Sequence, residues 1–205
     1  MDLQVRRAIR HLREMLEARG DDLKDFPTDV EDDDELNEIR STNKKFETDR
    51  TAVFFALTKE LMTSKDKKSV MAQLKNPEEF IAAHGAKTFI LVFGDTPASP
   101  VLQVIQDRNR DLAELGGGAA LQYFTLAELQ YNPSKHVLVP KHEKLTDAEA
   151  KQLIQTYQLR SKSQLPVILK TDIMARWLGL KHGEIVRITR INENSGVYYY
   201  YRCCV

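Results

Sequence analysis

Two histidines bracket a short apolar run in HVLVPKHEKLT, residues 136–146, and Glu143 follows the second. His136 and His142 are six positions apart with Pro140 between them, on a segment that reads as extended. The two-residue period of a strand puts positions i and i+6 on one face, so a shared site is geometrically open to them. Metal ligation, acid–base work and plain hydrogen bonding all use these residue types. A structural zinc needs about four ligands, and the local donors are only His136, His142 and Glu143. Cysteines from the far end would have to complete the set. The bland alternative is a histidine that caps or hydrogen-bonds within an interface.

Other residues with chemical potential read as structural. Asp66 and Lys68 in SKDKKS have the D-x-K spacing of metal-dependent nucleases. Metal-assisted cleavage needs carboxylates converging on the ion, and no second acid is positioned beside them, so a solvated helix start fits better. Cys203 and Cys204 are adjacent, and closing the eight-membered ring between neighbours strains the backbone. They read as small buried apolar residues on opposite sides of a C-terminal strand. The chain contains no G-x-S-x-G, no P-loop and no G-x-G-x-x-G. The glycines at 116–118 follow a helical stretch and read as a stop, not a phosphate cradle.

The elements that must position these residues can be read from spacing. Leu3, Val5, Ala8, Ile9, Leu12, Met15 and Leu16 recur at helical intervals, with Gly20 as a C-cap. TAVFFALT (51–58), KTFILVFGD (87–95) and LQYFT (121–125) read as strands. Helical stretches lie between them, the first broken at Asn76-Pro77. The order strand–helix–strand–helix–strand predicts a small α/β domain over 1–135. YNPSK (131–135) marks the boundary. Beyond it, Thr146 with Glu149 three residues on is a capping box opening a helix. LPVIL reads as a strand, and KTDIMARWLGL as a short helix capped by Thr171 or Asp172 and stopped at Gly179. GEIVRITRI and VYYYYRCCV read as strands joined by NENSG. Residues 136–205 therefore form a small α+β domain.

The 205 residues carry 30 basic and 30 acidic side chains, but unevenly. Residues 1–135 hold 19 Lys and Arg against 24 Asp and Glu, whereas 136–205 hold 11 against 6. Ten of the acids fall in DDLKDFPTDVEDDDELNE (21–38), which reads as a solvated loop or short exposed helix. It lacks the glycine and alternate-position acids of a calcium loop. The body outside that run is mildly basic, which is compatible with nucleic-acid contact. Two cysteines and no paired framework suit a reducing compartment. No apolar run approaches a membrane span. What remains suits docking better than chemistry: strands with interspersed Lys and Arg, and four consecutive tyrosines, 198–201, two on each side. Tyr and Arg dominate interface energetics.

HVLVPKH (136–142), SQLP (163–166), GLKHGEIVRITR (179–190) and SGVYYYYR (195–202), in this order, resemble the assembly domain of the fifth subunit shared by the nuclear RNA polymerases, a family that includes a shorter archaeal counterpart. VRRAIRHLREMLEARG, AVFF and ILVFGDTPASP are similar, more loosely, to the jaw domain of the eukaryotic versions. The chain is thus identified as a member of that family, an α/β jaw domain plus a small α+β assembly domain. The resemblance implies a non-catalytic subunit of a DNA-directed RNA polymerase, without cofactor or metal. Its partners would be the largest subunit, other polymerase subunits and downstream duplex DNA met without sequence preference. His136, Pro140, His142, Gln164, Leu165, Pro166, Arg190, Tyr198, Tyr201 and Arg202 become subunit-interface candidates. Lys87, Thr96, Ser99, Arg108 and Arg110 become DNA-contact candidates. Archaeal versions lack the jaw, and the chain departs from the family pattern at Val5, Val167 and Ile173. This implies a homologue from a large cytoplasmic DNA virus, found in host cytoplasm and virion; a cellular homologue would be nuclear. The rival readings are a stand-alone metal-dependent nuclease and a transcription adaptor outside the polymerase.

Overall fold

The computed structural model describes residues 2–30, 32–42, 44–59, 61, 70–85, 87–114, 118–192, 194 and 196–205. Asp66, Lys68, Gly116, Gly117 and Ser195 lie outside the described residues. The chain divides into two compact units, Met1–Tyr131 and Asn132–Val205.

The first unit opens with α1 (Asp2–Arg19), whose apolar stripe Val5, Ala8, Ile9, Leu12, Met15 and Leu16 is buried. Gly20 follows in the left-handed region, φ 82°, where an L side chain is strained. The acidic run is more than a solvated loop. It contains α2 (Asp33–Ser41), capped by Asp32 and burying Leu36 and Ile39, and Phe26 and Val30 ahead of it are buried too. Four apolar anchors among ten acids hold it down, so its surface is polar and its inner face is core. The acids also meet the arginines of α1: Arg6 with Asp33 at 3.4 Å and Arg10 with Asp29 at 3.1 Å. Arg13 donates to the Phe26 carbonyl at 2.6 Å.

The sheet of this unit runs β1 (Lys45–Glu47), β2 (Thr51–Ala56), β3 (Thr88–Phe93), β4 (Ala120–Thr125), with β1 antiparallel and the rest parallel. β1 escaped the sequence reading because Lys-Phe-Glu offers one apolar residue, too little for a period. The crossover from β2 to β3 contains α3 (Val70–Gln73) and α4 (Pro77–His84), with Pro77 beginning α4. α5 (Ser99–Glu114) joins β3 to β4. One sheet face packs Phe54, Phe89, Leu91, Phe93 and Leu121 against Leu74, Phe80, Ile105 and Leu112. Val53, Phe55, Ile90 and Val92, pointing the other way, are equally buried. Covered faces are what a parallel sheet requires, and they explain strands that read as unbroken apolar runs.

The second unit is built on a sheet ordered β5 (Lys141–Lys144), β7 (Ile185–Asn192), β8 (Gly196–Cys204), β6 (Val167–Ile168). α6 (Asp147–Thr156) begins at the expected capping box: Thr146 Oγ1 accepts from the Glu149 N–H, and Glu149 Oε2 accepts from the Thr146 N–H. α7 (Ile173–Trp177) is capped by Asp172, not Thr171, through the Met174 and Ala175 amides. Leu145, Ala150, Leu153 and Ile185 form one cluster, joined by Leu165 and Tyr201. Ile168, Ala175, Leu180, Val186, Ile188 and Cys204 form another, joined by Leu178 and Tyr200. Ile185 and Val186 are consecutive and face opposite ways, so the sheet carries a core on each side.

Candidate functional site

His136 and His142 do not share a strand face. β5 begins at Lys141, and His136 instead follows a 3-10 turn, Pro133–Lys135, within a second turn closed by the Val139 N–H on the His136 carbonyl at 2.9 Å. His136 Nδ1 accepts the Leu138 N–H at 3.2 Å, and His142 Nδ1 lies 2.7 Å from the Pro140 carbonyl oxygen. Each ring serves its own loop, because Pro140 and the turn prevent a continuous extended run. Glu143 is spent on Lys141 at 2.7 Å and Arg187 at 3.3 Å, and the Lys141 hydrogen bond holds its carboxyl below the usual range. No group of three His, Cys, Asp or Glu able to hold a metal occurs among the described residues.

Both thiols are buried, one on each side of β8. Burial pushes Cys203 and Cys204 up from the ordinary thiol value, away from the reactive thiolate. They pack, as their position in the sequence suggests.

The four tyrosines alternate across β8 as expected, Tyr198 and Tyr200 on one face and Tyr199 and Tyr201 on the other. Tyr198 and Tyr199 are exposed, Tyr200 and Tyr201 half-buried, and Cys203 and Cys204 buried. Burial grades along β8 on both faces, since the two cores cover opposite faces of the same end of the strand. The other end, the tip of the β7–β8 hairpin, is uncovered on both faces. There Ile191 is 83% exposed, its cross-strand partner Val197 59% and Tyr199 56%. Arginines are threaded through this surface. Arg187 lies over Tyr199 at 5.4 Å, and Tyr200 is flanked by Arg190 at 5.1 Å and Arg202 at 5.5 Å. Such cation–π contacts fix the guanidinium planes without neutralising them. Tyr157 meets Tyr201 edge-on at 6.0 Å, and burial raises the Tyr201 hydroxyl above its ordinary value. Away from the hairpin, Val137 and Leu138 are 96% and 83% exposed.

Among the interface candidates the structure therefore groups Arg190, Tyr198, Tyr201 and Arg202 on one hairpin. Gln164 takes a structural role: its side-chain oxygen accepts from the Arg160 and Ser161 amides, closing a small capping box. Leu165 joins the Leu145 cluster. Pro166 accepts the Cys203 N–H at 2.8 Å. Sequence reasoning missed Ile191 and Val197; the available signal was an apolar residue close to each side of the NENSG turn.

The DNA-contact candidates are dispersed. Thr96 and Ser99 are exposed where β3 passes into α5. Lys87 precedes the opposite end of β3 and donates to the Thr48 carbonyl at 2.9 Å. Arg108 pairs with Asp111 at 2.7 Å and Arg110 with Asp107 at 2.9 Å.

The second unit thus leaves open an apolar, cationic hairpin, a surface of the kind that suits docking better than chemistry. A family model for the RNA polymerase Rpb5 C-terminal domain matches residues 131–204, almost the whole of that unit. The chain is 43% identical over 76 residues to DNA-directed RNA polymerase subunit Rpo5 of Pyrococcus horikoshii, covering 92% of that protein and 37% of this chain. It is 36% identical over 126 residues to the RNA polymerases I, II and III subunit rpabc1 of Dictyostelium discoideum, covering 58% of this chain and 64% of that one. The Caenorhabditis elegans subunit RPABC1 is 42% identical over 97 residues, 47% of this chain and 46% of the relative. The alignments thus span between about half and under two thirds of these eukaryotic relatives. The chain belongs to the RNA polymerase Rpb5 family.

Proposed function

We propose that the chain is a non-catalytic subunit of a multisubunit DNA-directed RNA polymerase and that residues 136–205 anchor it to the largest subunit. One coincidence carries this reading: the family match coincides with the docking unit, and that unit holds an uncovered hairpin of tyrosines and arginines. Nucleotidyl transfer and its magnesium ions belong to the large subunits. The first unit is the jaw, which meets downstream duplex DNA without reading its sequence. The exposed Thr96 and Ser99 at the start of α5 support this, since hydroxyls and helix-start amides suit phosphates. Lys87, Arg108 and Arg110 reach phosphate only by exchanging their present partners for it. Val5, Val167 and Ile173, off the family pattern, support a viral homologue working in host cytoplasm and carried in the virion.

Affinity purification of the tagged full chain with mass spectrometry of bound proteins tests the reading. The expected result is both large polymerase subunits in fixed ratio to the chain. Purification with transcription factors but no large subunit would establish the adaptor instead. Magnesium-dependent cleavage of labelled duplex, lost in Asp66→Ala, would establish the nuclease.

A further inference from the structure

The outer edge of β8 is open, and the reason lies in one residue. Cys203 N–H bonds the Pro166 carbonyl and Val205 N–H bonds the Ile168 carbonyl, both towards β6, whereas Cys204 N–H bonds the Glu184 carbonyl on the β7 side. Backbone groups alternate along a strand. Odd-numbered residues of β8 therefore point to the β6 side and even-numbered ones to β7. β6 covers only Cys203 and Cys204. The next step of that parallel ladder needs an N–H from residue 166 to the Tyr201 carbonyl, and residue 166 is a proline. The ladder stops there. By the same alternation the N–H and C=O groups of Val197, Tyr199 and Tyr201 point away from β7, along the part of the edge that β6 does not pair.

A long edge with aromatic and apolar side chains is a template for another strand. Globular proteins often blunt such edges with lysine or proline, and neither occurs between Val197 and Tyr201. We propose that this edge receives an extended segment of the polymerase large subunit by strand addition, with acidic side chains on one face and apolar ones on the other. This rests on the polymerase reading. The choice of occupant follows from charge. Arg190, Tyr198, Tyr200 and Arg202 share one sheet face. Neither arginine has a carboxylate partner among the described residues, and Arg202 Nε is buried without an acceptor. On the opposite face the edge offers Val197 and Tyr199, beside Ile191. An incoming strand alternating acidic and apolar residues satisfies both faces at once. A second copy of this chain suits the edge less well, because residues 136–205 hold 11 basic against 6 acidic side chains.

Proline at position 199 tests the idea, because it removes an outward N–H and spares the β7 ladder. Full chain is co-expressed with the largest polymerase subunit, and complex affinity is compared for wild type, Tyr199→Ala, Tyr199→Pro and Arg190→Glu/Arg202→Glu. Tyr199→Pro should bind about 10- to 100-fold more weakly than Tyr199→Ala, as expected when a buried interface hydrogen bond is removed. The double charge reversal should weaken binding with a reduced salt dependence. If Tyr199→Pro binds as Tyr199→Ala does, strand addition is overturned while the polymerase reading stands. If wild type itself captures no large subunit, the polymerase reading fails, and this occupant with it. A wild-type dimer made monomeric by Tyr199→Pro would assign the edge to a second copy and overturn the acidic partner. Should Tyr199→Pro unfold, amide exchange decides. The Val197, Tyr199 and Tyr201 amides slow at least about 10-fold in the complex if a strand is added, and unchanged rates overturn the proposal.

Discussion

His84 ends α4 with its ring edge-on to Phe80 at 4.8 Å and Phe54 at 5.5 Å, while Lys45 Nζ lies 3.4 Å from its Nδ1. Burial lowers its pKa from the ordinary 6.5, and Lys45 and the more distant Lys87 act the same way; Glu47, at 3.7 Å, opposes them. Folding therefore favours the neutral ring. Above 6.5 that preference contributes its full stability. As pH falls from 6.5 through the lowered folded value, the unfolded chain gains a proton that the folded one resists, and stability is lost. His84→Phe keeps the aromatic packing and removes the titration. Thermal midpoints at pH 7.5 and 5.0 should converge in the variant relative to wild type, and an equal drop in both would assign the acid sensitivity elsewhere. At this scale the sequence is hardest to read. Asp172 and Thr146 are legible as caps because capping is local. His84 is silent, since its partners Phe54, Lys45 and Glu47 lie about 30 to 40 positions away along the chain.

Elements carry their weight through a few buried contacts, and α2 shows which ones. Its acids look interchangeable in sequence, but Asp32 caps the helix through the Asp34 amide at 3.0 Å. Asp32→Ala should cost about 1 kcal/mol of stability. Asp34→Asn, at an exposed position, should be nearly neutral, and Ile39→Ala, which empties a fully buried site, should cost about 3 kcal/mol. Urea denaturation separates these, and equal effects from all three would return the run to the status of a solvated loop. Gly94 is a second case. A Cβ there would sit 2.4 Å from the Leu57 carbonyl oxygen, so Gly94→Ala should destabilise by roughly 2 kcal/mol or more, read in the same denaturation series. The three parallel strands and the long helices were legible because each repeats a strong local period. β1 and the brevity of β6 were not. β1 exists because β2 offers it an edge, and β6 ends because Pro166 cannot donate, which the sequence contains but only the register reveals.

At the scale of the whole molecule, two compact units meet two kinds of partner in the proposed assembly. The second unit has its own helix caps, a core on each side of its sheet and a ladder of eight residue pairs between β7 and β8. About 70 residues with this much internal order suffice for independent folding. Fragment 132–205 should therefore give a cooperative thermal transition by itself and retain capture of the largest subunit. The converse fragment, 2–131, should fold but not be retained by the polymerase. Inside the assembled enzyme, deleting the first unit should remove crosslinks to downstream DNA and flatten the salt dependence of DNA binding, by roughly one log–log unit for each phosphate the enzyme no longer touches. The ion pairs Arg108–Asp111 and Arg110–Asp107 make a sharper demand. Arginines already paired with carboxylates gain less from phosphate than free ones, so Arg108→Ala/Arg110→Ala should reduce crosslinking less than Thr96→Ala/Ser99→Ala does. Were the double arginine variant to abolish crosslinking while Thr96→Ala/Ser99→Ala left it intact, the DNA-facing surface would be the exposed face of α5 and not its start. Retention of the polymerase by 2–131 alone would exchange the roles of the two units.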